Sequence, residues 1–275
     1  MILVDLHLHS TFSDGSLTPE LLVARGRSKG LSVMSLTDHD TAAGLAGFMA
    51  SCTRWNMQCV TGIELSADFR RTMHILGYRI NYRDPALESA LESLRKGREW
   101  RNGEMVRRLQ KMGFDISMEE VAAEAGGEVV ARPHLAKVMV RKGYVNDLPS
   151  AFSRYIGDSG PAYVERDRLS PGECITLIRN AGGLAVLAHP VQTADSTGEL
   201  REIAARLKEY GLWGMECISS RHTSEQIFQY LSVAAEFGLF PTAGSDFHGS
   251  ANPAAAMGIP VSEDFLPWAR LGVTL

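Results

Sequence analysis

The sequence alternates short apolar runs with amphipathic segments near both ends of the chain, and this pattern limits the fold more than any other feature. Helical segments separate most of the runs. One begins at Thr18, an N-cap followed by Pro19, and another opens at Ser170 with a capping box. Seven such strands predict a parallel α/β sheet, either open or closed into a barrel. The predicted strands are residues 2–6, 32–36, 58–65, 73–80, 184–188, 213–218 and 240–243.

The middle of the chain shows helical patterns and no clear strand. A long helical stretch covers residues 85–112, a second helix begins with a capping box at Ser117 and Glu120, and two more cover 133–142 and 147–155. This predicts a helical insertion between the fourth and fifth strands. We therefore expect residues 1–83 and 162–275 to form the barrel, and residues 84–161 to form a helical substrate cap.

Composition narrows the partners that this chain is expected to have. A formal charge of −4 over 275 residues argues against general electrostatic binding to long nucleic acid or to membranes. This net charge does not argue against a local basic pocket. No apolar run approaches membrane-spanning length, and the N-terminus lacks the basic region of a signal peptide, so a cytoplasmic protein is expected. No obligate protein partner is evident. The scattered Cys52, Cys59, Cys174 and Cys217 are expected to be reduced, buried thiols.

Six of the eight histidines fall at or just beyond predicted strand ends. His7 and His9 are two residues apart, so an extended strand directs both rings to the same side. Sites in parallel α/β sheets lie at the carboxyl edge of the strands, so these side chains should meet. Imidazole and carboxylate are typical ligands of Zn, Mn and Fe, and Glu64 has two oxygens with which to bridge two ions. The candidate metal ligands are His7, His9, Asp14, His39, Glu64, His74, His189, Asp246 and His248.

A packing role is the alternative for any one of these residues, because a lone histidine is more often a core or surface residue than a ligand. Packing explains the whole set poorly, since buried ionisable groups without partners cost several kcal/mol each. Clustered His, Asp and Glu side chains are instead typical of a metal or catalytic site.

The motifs around these residues resemble the polymerase and histidinol phosphatase (PHP) family. The matching segments are Asp5-Leu6-His7-Leu8-His9-Ser10, Ser13-Asp14-Gly15, Thr37-Asp38-His39-Asp40, Gly62-Ile63-Glu64, Ala188-His189-Pro190 and Gly244-Ser245-Asp246-Phe247-His248. The resemblance spans the chain and implies a distorted (β/α)7 barrel with a metal site at its C-terminal rim. It also implies three divalent ions, with Mn²⁺ expected and Zn²⁺ or Fe²⁺ as alternatives. The implied ligand sets are His7, His9, Glu64 and Asp246; Asp14, His39 and His248; and Glu64, His74 and His189.

Within the insertion, Ala131-Arg132-Pro133-His134-Leu135 resembles an Arg-Pro-His segment of one branch of this family. Members of that branch act on nucleoside 3′,5′-bisphosphates, and some trim short RNA from the 5′ end. Ser220-Arg221-His222 matches a further polar position of the branch. The resemblance implies that Arg132, His134, Arg221 and His222 contact substrate. His222 is also the candidate catalytic acid for the leaving oxygen.

Other charged residues have less specific interpretations. Arg132 could be an ordinary surface residue, although arginine is well suited to gripping phosphate. Asp38 and Asp40 flank His39 and are candidates to orient it. A solvated helix face is the expectation for Lys96, Arg98, Arg101, Arg107 and Arg108.

The predicted activity is metal-dependent hydrolysis of a phosphate monoester, in which bound metal lowers the pKa of water and offsets phosphoryl charge. Three alternatives stay open. Histidinol phosphate or a sugar phosphate would suit the barrel alone. An amidohydrolase would need another ligand pattern or a carboxylated lysine, and no lysine falls at a predicted strand end. A regulatory module without turnover usually loses ligands, and this chain keeps all nine.

Overall fold

The computed structural model describes residues 1–125, 129–252 and 255–275. Its strands are β1 (Ile2–Leu8), β2 (Leu31–Leu36), β3 (Gln58–Ser66), β4 (His74–Tyr78), β5 (Leu184–Leu187), β6 (Gly214–Ile218), β7 (Phe240–Ala243) and β8 (Ile259–Val261). Its helices are α1 (Pro19–Ser28), α2 (Leu45–Arg54), α3 (Pro85–Lys111), α4 (Met118–Ala125), α5 (Arg132–Arg141), α6 (Leu148–Ala151), α7 (Pro171–Asn180), α8 (Pro190–Thr193), α9 (Thr197–Glu209), α10 (Ser224–Glu236) and α11 (Trp268–Leu271). A π-helical turn covers Phe152–Ile156 and a 3-10 turn covers Gly249–Ala251.

The strands form one sheet in the order β7-β6-β5-β4-β3-β2-β1-β8. The sheet curls almost into a barrel, because the segment after β7 meets the end of β1: Leu8 and Phe247 form a parallel bridge, and the His9 amide donates to the Phe247 carbonyl at 3.0 Å. The expected distorted α/β barrel is confirmed. β8, which pairs antiparallel with β1, was not predicted; its three residues are too few to show a periodicity.

β4 is antiparallel to both of its neighbours, which departs from the mostly parallel sheet expected from the sequence. The reason lies in its connection to β3. Only residues 67–73 join the two strands, and a parallel crossover needs a dozen residues or more. The reversed direction pairs His74 with Ser66, so the first residue of β4 lies at the rim where β3 ends.

Helix α3 joins the barrel to the helical insertion. The Asp84 carboxylate caps it by accepting from the Leu87 amide at 2.9 Å, and Pro85 occupies its first turn. Near its start, Leu91 packs in the core between strands and outer helices, whereas Leu109 near its end packs in a separate core within the insertion. The middle of α3 thus passes from one core to the other. Among the described helices, none is long and apolar enough to cross a membrane.

Two of the four cysteines correct the expectation of reduced thiols. Cys52 near the end of α2 and Cys59 at the start of β3 form a disulfide. The turn between these elements brings their Cα atoms to 6.3 Å, within the range that a disulfide spans. Cys174 and Cys217 are free and buried, as expected.

Candidate metal centre

All nine candidate ligands meet at one rim of the barrel. Strand ends and the loops that follow them carry eight of these side chains, and the reversed β4 supplies His74 from its first residue. Buried hydrophobic side chains of the strands fill the barrel below, so the strand backbones place the rim residues firmly. Three loop residues at the rim adopt positive φ: Asp40 at 50°, His189 at 24° and Asp246 at 57°. Such conformations cost about 1–3 kcal/mol each and cluster at functional sites.

Glu64 is the centre of this cluster. Its side chain is fully buried, and five imidazole rings surround its two oxygens. Oε1 lies 3.3 Å from His7 Nε2, 2.9 Å from His74 Nδ1 and 3.0 Å from His189 Nε2, whereas Oε2 lies 3.2 Å from His9 Nε2 and 2.9 Å from His39 Nδ1. One carboxylate therefore touches ligand candidates of more than one ion.

The ligand atoms fall into groups of the size that a divalent ion needs. Each group has atoms within 4.8 Å of one another: His7, His9, Glu64 and Asp246; His9, Asp14, His39 and His248; and His39, Glu64 and His74. Metal bonds of about 2.0–2.2 Å place neighbouring ligand atoms about 3.0–3.5 Å apart. The first group has that spacing, since His9 Nε2 lies 3.2 Å from Glu64 and 3.3 Å from Asp246. His189 stands beside the third group, with Nε2 3.2 Å from His74 Nδ1.

Several buried nitrogen and oxygen atoms of the cluster are better suited to binding a cation than to hydrogen-bonding with one another. They make no hydrogen bond to the described residues: Nε2 of His7 and of His9, Nδ1 of His39, Oε2 of Glu64 and Oδ1 of Asp14. A buried polar atom left in that state costs about 1–3 kcal/mol. A divalent ion would satisfy these atoms together, because imidazole nitrogen and carboxylate oxygen are its usual ligands.

The electrostatics of the cluster also favour cations. Burial alone would lower the pKa of His9, but the adjacent carboxylates of Asp246 and Glu64 raise it to about 10. Burial likewise acts against protonation of His7, and Glu216 and Glu64 reverse that effect and raise its pKa. The carboxylates that raise these two pKa values would attract a divalent ion in the same way, because opposite charges attract strongly where water is excluded.

Hydrogen bonds behind the cluster orient its rings. Asp38 accepts from the Ser10 amide at 2.7 Å and from the Ser13 hydroxyl at 2.5 Å, and that hydroxyl lies 3.5 Å from His9 Nδ1. Asp38 was expected to orient its neighbour His39, but these contacts direct it to the segment that carries His9. His248 Nδ1 lies 2.8 Å from the Asp246 carbonyl, which fixes that ring as well.

Asp40 joins the rim to the insertion, and this corrects the expected solvated helix face. Its carboxylate is fully buried and pairs with Arg98 of α3, at 2.9 Å from Nε, and with Arg166, at 3.2 Å from Nη2. Arg101 is buried as well. The sequence pattern of α3 did not indicate that Arg98 and Arg101 are buried, because buried helix faces are expected to be apolar. Where α3 passes over the rim, its buried face carries these charged residues instead. Lys96 and Arg107 are exposed, as predicted.

Replacing Asp40 by asparagine should destabilise the chain by about 3–5 kcal/mol, because it leaves two buried guanidinium groups without their carboxylate. Burial alone would raise the pKa of Asp40, but Arg98 and Arg166 lower it below its usual value. Its contribution to stability is therefore present above about pH 4 and is lost as pH falls further. Urea unfolding at several pH values measures the difference, which should shrink under acid.

Glu236→Gln is the matched control for this measurement, because Glu236 pairs with Arg201 at 2.8 Å on the surface. Loss of an exposed pair should cost at most about 1 kcal/mol. Equal losses in the two variants would show that Asp40 does not hold the buried arginines.

A cavity of about 360 Å³ opens between the insertion and the cluster of nine candidate ligands, called the metal cluster below. The cluster contributes Asp14, His39 and His74 to its lining. Its other charged lining residues are Arg70, Arg71, Arg98, Arg101, Arg132, Asp158, Arg166 and Arg168. No lysine lines it within the described residues. A larger, mostly apolar cavity of about 740 Å³ lies beside α7 and α9 and contains none of the nine candidate ligands.

The four substrate residues proposed from the sequence take different positions. Arg132 lines the cavity, pairs with Asp158 at 2.7 Å and lies over the Phe152 and Tyr163 rings. Arg221 donates to Asp246 Oδ2 at 2.7 Å, directly beside the metal cluster.

The two histidines among those residues lie outside the cavity lining. His134 is buried, and its Nδ1 accepts from the Ala131 amide at 3.1 Å. His222 packs against Tyr230, and its Nδ1 donates to the Cys217 carbonyl at 3.1 Å.

Glu216 was missed by the sequence reasoning. It lies 2.9 Å from His7 Nδ1 and accepts from the His189 amide at 2.8 Å. One signal was present: Glu216 is the single charged residue in the apolar segment that forms β6.

An α/β barrel with a His-, Asp- and Glu-lined rim defines a class of metal-dependent hydrolase. Comparison with known sequences makes the class specific: residues 5–183 match the PHP domain, and the chain belongs to the PHP family. It is 32% identical over 276 residues to a 3′,5′-nucleoside bisphosphate phosphatase of Chromobacterium violaceum, covering 97% of this chain and 94% of that protein. It is 35% identical over 245 residues to a 5′-3′ exoribonuclease of Haemophilus influenzae, covering 89% of each. A phosphoribosyl 1,2-cyclic phosphate 1,2-diphosphodiesterase of Eggerthella lenta is 32% identical over 255 residues, covering 89% of this chain and 94% of that protein.

Two solved structures share the fold of this chain. An amidohydrolase from Chromobacterium violaceum with bound sulfate and no metal has a TM-score of 0.88 at 30% identity, covering 98% of this chain and 95% of that one. A metal-dependent phosphoesterase from Bifidobacterium adolescentis has a TM-score of 0.83 at 29% identity, covering 95% and 92%. The chain is a phosphoesterase, a hydrolase of phosphoric ester bonds.

Proposed function

We propose that this enzyme removes the 3′-phosphate of nucleoside 3′,5′-bisphosphates and also accepts short RNA from its 5′ end. The observation that carries the proposal is the arginine-lined cavity beside the metal cluster. A substrate with a single phosphate needs only the cluster. Seven arginines line the cavity; five of them pair with carboxylates, and the other two, Arg101 and Arg168, form no ion pair among the described residues. This excess of positive charge suits a substrate that carries a second phosphate some distance from the first.

Arg101 gives the cavity an unpaired positive charge. The side chain is 4% exposed, and its Nε donates to Asn102 Oδ1 at 2.9 Å. No acidic group of the described residues forms an ion pair with it. Burial, together with the nearby Arg98 and Arg132, lowers the pKa of Arg101, so its charged form is costly there. A phosphate dianion in the cavity would remove that cost.

The metal cluster is proposed to hold three divalent ions. Their ligands would be His7, His9, Glu64 and Asp246; Asp14, His39 and His248; and Glu64, His74 and His189. Such ions, when bound, supply a water of lowered pKa and positive charge for the phosphoryl oxygens. Mn²⁺ is the proposed occupant, because mixed imidazole and carboxylate ligands accept it.

The chain's own residues would bind and orient the nucleotide. Arg132 would grip the 5′-phosphate in the cavity, and Arg221, which pairs with Asp246, would contact the phosphoryl group held by the ions. Residues 84–161 are proposed to act as a cap, because α3 and α5 carry Arg98, Arg101 and Arg132 over the rim. His134 would support this cap from behind, since its ring bonds to the start of α5.

The protein geometry gives less support to His222 as the acid that protonates the leaving oxygen. Burial lowers the pKa of His222, so the neutral ring is favoured near pH 7. Its Nε2 is buried without a hydrogen-bond partner in the described part of the chain. With its Nδ1 proton bonded to the Cys217 carbonyl, the neutral ring carries no proton on Nε2, so His222 could protonate the leaving oxygen only in its doubly protonated form.

A cyclic phosphodiester is the second candidate substrate. The named Eggerthella lenta relative acts on phosphoribosyl 1,2-cyclic phosphate and covers nearly the whole of this chain. Such a substrate also carries a second phosphate, so the arginine cavity suits it too. The metal cluster is common to both candidates.

Chelation should abolish phosphate release from adenosine 3′,5′-bisphosphate, and Mn²⁺ should restore it, because the cluster's nitrogen and oxygen atoms need a cation. The measurement is phosphate release before EDTA, after EDTA and after each of Mn²⁺, Zn²⁺ and Mg²⁺, with metal content determined alongside. Adenosine 3′-monophosphate, histidinol phosphate, a cyclic ribose phosphate and 5′-phosphorylated RNA complete the substrate panel. Full turnover by metal-free protein would reject the proposed metal chemistry.

A further inference from the structure

Glu216 is a buried acid inside the barrel that belongs to none of the three metal-binding groups. On β6, its neighbours Met215 and Cys217 pack into the core between the strands and the outer helices. Because side chains alternate along a strand, Glu216 points the other way, into the barrel. Its side chain is 0% exposed. Burying a carboxylate costs several kcal/mol unless hydrogen bonds compensate, so its partners must matter.

Both oxygens of Glu216 are used, and each holds a different candidate ligand. Oε1 accepts from His7 Nδ1 at 2.9 Å, and Oε2 accepts from the backbone amide of His189 at 2.8 Å. Hydrogen bonds to a carboxylate are about twice as strong as those between neutral groups. Glu216 therefore connects β6 to residues at the ends of β1 and β5.

The contact with His7 decides which ring nitrogen faces the cluster. With the proton on Nδ1 and bonded to Glu216, Nε2 keeps its lone pair and lies 3.3 Å from Glu64 and 3.5 Å from Asp246. Gly244 makes room for this contact. A Cβ atom at that position would lie 2.6 Å from Glu216 Oε1 and 2.3 Å from His7 Cβ.

The contact with His189 acts on the backbone. His189 has φ 24° and ψ 69°, which is unfavourable for a residue with a side chain, and Pro190 follows it directly. The bond from its amide to Glu216 helps to hold this conformation. In that conformation the imidazole Nε2 lies 3.0 Å from Glu64 Oε1 and 3.2 Å from His74 Nδ1.

We infer that Glu216 is a positioning residue that couples two of the metal groups through one carboxylate. It orients His7, which belongs with His9, Glu64 and Asp246, and it orients His189, which stands beside Glu64 and His74. The inference rests on the proposed metal centre. Loss of Glu216 should weaken two ions at once, whereas a residue that supports one ligand should weaken only the ion of that ligand.

The test is Mn²⁺ binding by the full chain carrying Glu216→Gln. Glutamine keeps the shape, but its amide group cannot accept both hydrogen bonds. After metal removal and Mn²⁺ titration, metal analysis should show two ions bound about 10–100-fold more weakly than in the unmutated chain. The matched control is Cys217→Ala, the next residue on β6, whose side chain lies in the outer core. That variant should lose stability and keep its Mn²⁺ affinity.

Three outcomes separate the inference from the metal centre on which it rests. Unchanged Mn²⁺ affinity in folded Glu216→Gln would overturn the role of Glu216 and leave the metal centre standing. An unmutated, folded chain that binds no Mn²⁺, Zn²⁺ or Fe²⁺ would overturn both. If Glu216→Gln does not fold, Glu216→Asp decides, because it keeps the buried charge but cannot reach both partners. Normal Mn²⁺ affinity in Glu216→Asp would also count against the inference.

Discussion

Replacing Glu64 by alanine should lower kcat/KM by more than about 100-fold and remove bound metal, because loss of a group behind a ligand already costs about 10–100-fold. The two Glu64 oxygens lie among five imidazole rings and belong to two of the ligand groups. No other carboxylate of the described residues has this position. Metal content and turnover, measured on the same preparation, should fall together.

Asp40→Ala is the control for this measurement, because it removes a buried carboxylate that is not a candidate ligand. Asp40 is as deeply buried as Glu64 but pairs with Arg98 and Arg166, and it belongs to none of the metal groups. It should lose stability and some activity while it keeps metal. Glu236→Ala, on the surface, should change neither metal content nor turnover. A Glu64→Ala protein that keeps both its metal and its turnover would show that the ligand assignment is wrong.

Replacing Arg132 by alanine should erase most of the preference for adenosine 3′,5′-bisphosphate over adenosine 3′-monophosphate. Truncating one partner of a buried charge pair costs about 2–5 kcal/mol. Arg132 is 29% exposed, so we expect the lower end, about 2 kcal/mol or about 30-fold in kcat/KM. The 3′-monophosphate should lose much less, since it lacks the group that Arg132 is proposed to bind. Binding energy from the remote phosphate then aligns the reacting ester.

Measuring kcat/KM for both substrates with the unmutated and the Arg132→Ala enzymes gives a double-mutant-style cycle. This cycle isolates the contact between Arg132 and the 5′-phosphate. Arg154→Ala is the matched control, because Arg154 lies on the same insertion, is exposed and does not line the cavity. It should leave the preference unchanged. Equal kcat/KM for the two substrates in the unmutated enzyme would reject the bisphosphate proposal. Histidinol phosphate, a sugar phosphate or a cyclic phosphodiester would then become the better candidates.

Much of the barrel could be read from local pattern, because each strand and its ligand lie close together in sequence. His7 lies near the end of β1 and His9 directly follows it, with the period of an extended chain, and Glu64 lies near the end of β3. The caps at Thr18 and Ser170 are formed as predicted, with side-chain bonds to the amides of Leu21 and Glu173. Each of these signals depends on neighbours within a few residues, so it can be recognised without the tertiary structure.

Other features depend on partners that are distant in sequence. Arg98 and Arg101 resembled a solvated helix face, because nothing in the α3 pattern shows that Asp40 and the cavity lie across from it. The Cys52–Cys59 disulfide was also missed, since it depends on how tightly the chain turns between α2 and β3. These contacts change the chemistry of a residue without changing its local pattern.

By itself, the sequence determined seven of the eight described strands, the helical insertion and which side chains are available as ligands, because periodicity and motif spacing are local properties. Only the tertiary structure decided the direction of β4, the convergence of five rings on Glu64, the burial of the arginines and the contacts of Glu216. The physical reason is that each of these depends on distance through space and on exclusion of water. Glu216 and His7 are 209 residues apart in the chain, yet their side chains meet at 2.9 Å.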